Sequence, residues 1–563
     1  MLGWRTSPQA ARISKFLMRV PIRNHAHSAP SRALTAAFTI LLGLICVSCG
    51  ETYRPVAQPI QGLQPSPAPA HFVASINTDG VGDNHRDRGS VSSINVSGDT
   101  MRGELRAGMV PVHAGLTASG SLLYIANSGD DTVSASSVSS PTGAVTISLP
   151  PSPSATITQA TGSGSTATYT YTGGTGLFSV GDKVYVSGCT TEGFNGAFTV
   201  TAAGGNSFSV TNLTSGSELE SFGAQAKVPN AVFVNSAENA SVFVAGYGTD
   251  SLYVINTNSQ VVTAAVPVDS HPVAVAQAPA AQKVYVANSG SNTSGGSVSV
   301  IDTVSNTVSK TICLGSVNAP PCPIGPVPVW AVARADSGQV YVLDQSGTIY
   351  AIDTASDSVI ASSVSAGAGA NFMFYDRIFN RLYVTTPSSD SLSIFDVSSS
   401  TPLPSSLNPI AIPQAAASPC SPSPVLPASV TVLGDGSRAY VASYQLNAGT
   451  VCTQLSVIDT GSETLSKTIP LNQVGDTSAQ SGCGTVGFRV FVASSGGGAN
   501  SNFKVYVSQC DAGTVAVVDT YPANGNPGNT YIGISLDAPL STFPALASGI
   551  PPTQNPMFLV AGP

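Results

Sequence analysis

Few side chains in this sequence could do chemistry, and they are scattered. Past Cys49 the histidines are His71, His85, His113 and His271, too few and too far apart to read as a redox-metal ligand set. There is no C-x-x-C-H haem site, no G-x-S-x-G elbow, no H-E-x-x-H helix and no P-loop. Serine is abundant enough to supply a Ser-His-Asp triad, but nothing singles out a member. One loop concentrates charge: NTDGVGDNHRDRG at 77–89. Its Asn77, Asp79 and Asp83, with glycines between them, offer the hard oxygens that suit calcium. The regular ligand spacing and the terminal Glu are missing, so a solvated loop is the simpler reading. No cofactor is expected. Nine cysteines are present. Among the seven after Cys49, zinc is disfavoured because no C-x-x-C pair and no neighbouring histidine accompany them. The six at 313, 322, 420, 452, 483 and 510 allow 15 pairings, and spacing alone does not choose among them.

The elements that must position these groups begin with an export segment. Residues 33–48, ALTAAFTILLGLICVS, form an apolar run behind a wholly basic stretch that carries Arg5, Arg12, Lys15, Arg19, Arg23 and Arg32. The run is short for a bilayer span and suits a signal-peptide core. Cys46-Val47-Ser48-Cys49-Gly50 resembles a bacterial lipobox, which implies lipidation of Cys49, removal of residues 1–48 and anchoring at the outer membrane or the periplasmic face. Residues 49–70 then form a tether stiffened by Pro55, Pro59, Pro65, Pro67 and Pro69.

Charged residues make up 9% of the 563, against about 25% in an ordinary soluble domain. Surface helices need Lys and Glu faces, so such a chain cannot be mostly helical. At 42% hydrophobic it is also too apolar to be simply disordered. The net charge is −8, and since every charge before Cys49 is basic the rest is more acidic still. That balance, with no basic run, excludes nucleic acid as a partner.

One pattern fills most of the chain: an apolar strand around an aromatic, a short polar turn, then an alternating strand ending near Asp-Thr. It appears at 122–134, 241–257, 283–303, 340–354, 381–397, 439–460 and 504–520, with a degenerate copy at 71–96. Period-2 alternation and β-branched content make each copy a strand pair. A spacing upward of about 40 residues with four strands per unit is that of propeller blades. The repeats, KVYVANSGSNTSGGSVSVIDTVSNTV at 283–308 above all, resemble the YVTN family of β-propeller repeats.

That resemblance implies an all-β propeller of about eight four-stranded blades, or seven if one weak copy is a decorated loop. It also implies a strand order: the strand before each motif is innermost (a), the motif supplies b and c, and the segment after it is d. NPMFLVAGP at 555–563 then reads as an a strand that completes the blade begun at residue 71. The propeller occupies 71–150 and 229–563, interrupted at 151–228 by a small β domain of four or five strands. This insertion reads as a stabilising decoration or, alternatively, an adhesive module. On the blade map, Cys420 and Cys483 lie in d-to-a loops and Cys452 and Cys510 in the b-to-c loops of the following blades. These loops share a face, so the implied bridges are Cys420–Cys452 and Cys483–Cys510, with Cys313–Cys322 across one loop and Cys189 left over. The starts of the a strands gather His113, His271, Trp330, Arg489 and Asn555 at one channel mouth, the candidate ligand-binding set.

The expected function is therefore a lipid-anchored, exported, monomeric binding or scaffold module, with the membrane and a protein or glycan ligand as partners. No catalytic residue is assigned. The alternative is a lactonase-like hydrolase acting at the channel mouth, which would need several Arg, His and acidic residues there.

Overall fold

The computed structural model describes residues 72–562 with breaks, the longest at 80–87, 496–503, 521–530 and 536–553. The lipobox-like segment with Cys49, the proline tether and Asp83 lie outside the described residues, as does the Asp79 side chain.

Eight antiparallel blades follow one another around a ring. The first is composite: its inner strand is Gln554–Gly562, and its outer strands are Phe72–Asp79, Arg88–Asn95 and Thr100–Met109. The others span 111–148, 231–267, 272–313, 328–365, 372–411, 426–475 and 490–535. In the fifth and sixth, strand d is split into two short pieces. Each inner strand touches the inner strands of both neighbours, so the ring closes between the eighth blade and the composite one. This closure leaves no blade without a neighbour on either side.

The repeat motif explains itself once it is folded. Its aromatic, which is Tyr124, Tyr285, Tyr341, Tyr383, Tyr440 or Tyr506, is at most 1% exposed in strand b, and Phe243 takes that place in the third blade. Each such ring buries some 150–250 Å² between blades. In five of the blades a polar side chain two residues earlier reaches the c–d turn of the next blade. Lys283 donates to the Thr354 carbonyl (2.8 Å) and to Asp357 (2.7 Å), Gln339 to the Ser400 carbonyl (2.9 Å), and Arg381 to the Thr460 carbonyl (2.7 Å). Arg438 donates to the Thr520 carbonyl (2.9 Å), while Lys504 crosses the ring closure to the Val96 carbonyl (3.1 Å) and Asp99 (2.5 Å).

The Asn that ends strand b donates to hydroxyls on strand c. Asn288 bonds Ser297 and Ser299, Asn127 bonds Thr132 and Ser134, and Asn77 bonds Ser90 and Ser92. The Asp that closes strand c accepts two N–H groups of the next turn and a serine hydroxyl, as Asp302 does from Val304 and Ser305. The Thr after it ties that turn to the a–b turn, Thr303 through the Gln282 carbonyl and Thr354 through the Ser337 carbonyl.

The insertion has more strands than its sequence pattern predicts. Ser154–Ser163, Gln225–Lys227, Lys183–Ser187, Gly196–Ala203, Ser207–Thr211 and Thr166–Thr172 pair in that order and close into a six-stranded barrel, with Ser215–Leu219 added outside. Tyr169, Tyr171, Phe178, Phe194 and Phe208 fill it. Two of the strands escaped notice because one has only three residues and the other is mostly exposed and polar, so neither carries an alternating pattern.

Candidate functional site

The inner strands bring a set of rings to the axis. Trp330 of the fifth blade lies 5.2 Å from Phe233, 4.7 Å from Phe372 and 6.1 Å from Phe488 (centroid to centroid). His113 of the second blade stacks on Phe233 at 3.9 Å and lies 4.3 Å from Phe558, which in turn meets Phe491 at 4.3 Å. These rings come from six different blades and fill the centre with an aromatic plug. His113 belongs to that plug: its Nδ1 accepts the Val234 N–H at 3.3 Å, and burial pushes its pKa down to about 3. It is a neutral imidazole that completes a core.

Above the plug, between the propeller face and the inserted barrel, lies a cavity of about 730 Å³. His113, Val329, Trp330 and Phe488 line it from the propeller side, and Lys183, Tyr185 and Thr199 from the barrel side. The volume falls in the range typical of small-molecule sites.

Several contacts hold the barrel in place. Lys227 pairs with Asp131, the Tyr185 and Ser128 hydroxyls bond at 2.9 Å, and the Asn292 amide donates to the Val180 carbonyl. His271 sits at the cavity rim, its ring stacked on Tyr247 at 4.4 Å, with Nδ1 2.7 Å from the Gly290 carbonyl and Nε2 3.4 Å from Asp182 of the barrel. Burial by itself would lower its pKa. The hydrogen bonds it donates to Asp182 and to the Gly290 carbonyl, with the charges of Asp182 and Asp250, outweigh burial and raise it.

Of the five residues read as a mouth cluster, the cavity brings together His113, Trp330 and His271. Arg489 and Asn555 do not line it. Arg489 is spent on a buried ion pair with Asp511 (3.0 Å) and on the Cys483 carbonyl (2.8 Å), and Asn555 donates to the Cys510 carbonyl (2.9 Å). The chain around the Cys483–Cys510 bridge draws both side chains aside.

The three bridges are Cys313–Cys322, Cys420–Cys452 and Cys483–Cys510. Cys452 lies within strand c, opposite Gln445, because the seventh blade's b–c hairpin runs on to Asn447 and Thr450. Cys189 is buried in the barrel. The calcium reading loses Asn77, whose amide is engaged by Ser75, Ser90 and Ser92. Among the described residues no three His, Cys, Asp or Glu side chains converge as a metal site.

Sequence reasoning missed Lys183 and Asp182. The available cue was an Asp-Lys pair at the start of a strand in a segment poor in charge. Opposite the barrel, a second concavity of about 620 Å³ is lined by Thr117, Asp376, Arg377 and Ser495. Burial holds the Asp376 carboxyl up at about 6 while one oxygen accepts the Ile378 N–H.

No family model matches the sequence, and no curated protein does. Solved structures do match. AztD from Citrobacter koseri is 11% identical over 87% of this chain and 98% of its own, with a TM-score of 0.45, and its apo structure gives 11%, 87%, 99% and 0.44. Hydrazine synthase from Kuenenia stuttgartiensis is 18% identical over 50% of this chain and 73% of its own, with a TM-score of 0.35.

Proposed function

We propose that this chain is a membrane-tethered binding module whose ligand enters the cavity between the propeller mouth and the inserted barrel. The observation that carries the reading is the cavity itself: about 730 Å³, floored by aromatic rings and roofed by a domain that nothing in the blade repeat requires. Anchoring follows from the lipobox-like Cys49, and three disulfides fit an oxidising, exported setting. The ligand is a protein segment or a glycan of the envelope, and the module acts as a monomer. A lactonase-like reaction at the same mouth would call on Arg489 and His113, which are held in a buried ion pair and in the aromatic plug.

Thr199 is exposed on the barrel wall of the cavity, so Thr199→Trp fills the space without entering either core. Envelope glycans and peptides that raise the melting temperature of the full chain should lose that effect on the variant. Ligands that stabilise both proteins equally would place the site elsewhere and end this reading. Anchoring has its own check: Cys49→Ser should abolish fatty-acid labelling and release the protein from the membrane fraction, and unchanged labelling would defeat the assignment.

A further inference from the structure

The walls of the cavity are one-sided in charge. Among the described residues no Asp or Glu lines it, although the chain as a whole carries 30 acidic residues against 22 basic ones. Lys183 does line it, from the second residue of the barrel's Asp-Lys pair, and its ammonium has no hydrogen-bond or ion-pair partner among the described residues.

The neighbouring carboxylate does not fill that role. Asp182 turns the other way, accepting the Ser179 N–H at 2.7 Å and facing His271 at 3.4 Å. Lys183 is exposed on the barrel wall, so an anion in the cavity can meet its ammonium without displacing another partner.

The remaining walls narrow the anion. Half-buried Trp330 and Phe488, with Val329 and Val486, present apolar surface, while Gln345 adds a neutral polar group. A phosphate dianion would call for several cations or a guanidinium fork. A single lysine beside apolar walls suits a monoanion with an organic body. We propose that the part of the ligand entering the cavity is an organic carboxylate, its charged end on Lys183 and its body against Trp330 and Phe488. This rests on reading the cavity as the ligand site.

The sequence supplies its own reporter. The only tryptophans are Trp4 and Trp330, so Trp4→Phe in the full chain leaves a single indole, and it lines the cavity. Phenylacetate and glucuronate serve as an aromatic and a sugar carboxylate, with phenylacetamide as the uncharged control. At least one acid should change Trp330 emission saturably and bind at least tenfold more tightly than the amide. Lys183→Met should abolish that preference without changing the melting temperature of the free protein, and Thr199→Trp, followed by calorimetry because it adds an indole, should abolish binding altogether.

Amide and acid binding equally, or acid binding unchanged by Lys183→Met, would overturn the carboxylate assignment. If that binding remained sensitive to Thr199→Trp, the cavity would still stand as the ligand site. Acid binding that Thr199→Trp leaves intact would overturn both. No response to either acid would overturn the carboxylate assignment alone, while the glycan and peptide screen still tests the cavity.

Discussion

His113 makes the centre of the propeller sensitive to acid. Folding lowers its pKa from 6.5 to about 3, because imidazolium cannot be hydrated among Phe233, Trp330 and Phe558. Between those values the unfolded chain binds a proton that the native chain does not. The contribution of this group is therefore fully present above about pH 6.5 and is lost as pH falls toward 3. At 1.36 kcal/mol per unit, three units of descent cost on the order of 4 kcal/mol. His113→Gln keeps a neutral polar side chain there and removes the titration. Urea unfolding at pH 7 and pH 4 should show a much smaller loss in the variant than in the parent, even if the variant starts lower. Identical losses would mean that protonation of carboxylates elsewhere governs acid sensitivity. His271 works in the opposite sense: its raised pKa gives a contribution present below its unfolded value and lost as pH rises through the folded one, so acid tightens the barrel contact through Asp182 while it loosens the plug.

At the scale of the elements, what could be read in advance was whatever recurs. Alternation around Tyr285 or Tyr506 marks strand b because one face of it must fill the gap between blades. Asp-Thr at 302–303 and 353–354 marks the c–d turn because both side chains are consumed in closing it. The bridges followed from the blade map, since d–a and b–c loops emerge on one face. What could not be read has no period. The inserted barrel depends on non-local pairing of Gln225–Lys227 with both Ser154–Ser163 and Lys183–Ser187, and that three-residue strand is invisible as a pattern. The mouth was half legible for a related reason. Being first in an inner strand puts a residue near the axis, but the side chain then goes where its partner is. Arg489 went to Asp511 and Asn555 to the Cys510 carbonyl, while the lysine that does face the cavity arrives from another domain. Sequence reasoning placed backbones well and directed side chains poorly wherever a charge pair decided the outcome.

The described blades form a ring that closes where the two ends of the described chain meet. Gln554–Gly562 pairs antiparallel with Phe72–Asp79, joining Ser75 to Leu559 and Phe72 to Gly562 across most of the chain's length. Lys504 and Tyr506 of the eighth blade both clamp Asp99 of the composite one, but such contacts between partly exposed groups add little beside burial. The closing strand contributes more: Met557, Phe558 and Leu559 are 0%, 6% and 3% exposed, and Phe558 touches both His113 and Phe491 in the plug. Three such side chains at about 1.5–3 kcal/mol each approach the whole margin of a domain whose stability is about 5–15 kcal/mol. Their loss would also leave the inner edge of Phe72–Asp79 unpaired beside the channel. A chain ending at residue 553 should therefore aggregate, or melt at least 10 °C lower. A synthetic peptide of residues 554–562 added during refolding should recover monomer, because the missing strand needs no covalent link to pair. An unchanged melting temperature after the truncation would show that ring closure does not depend on this strand. Aggregation that the peptide fails to relieve would show instead that the strand must be covalently attached for the ring to form.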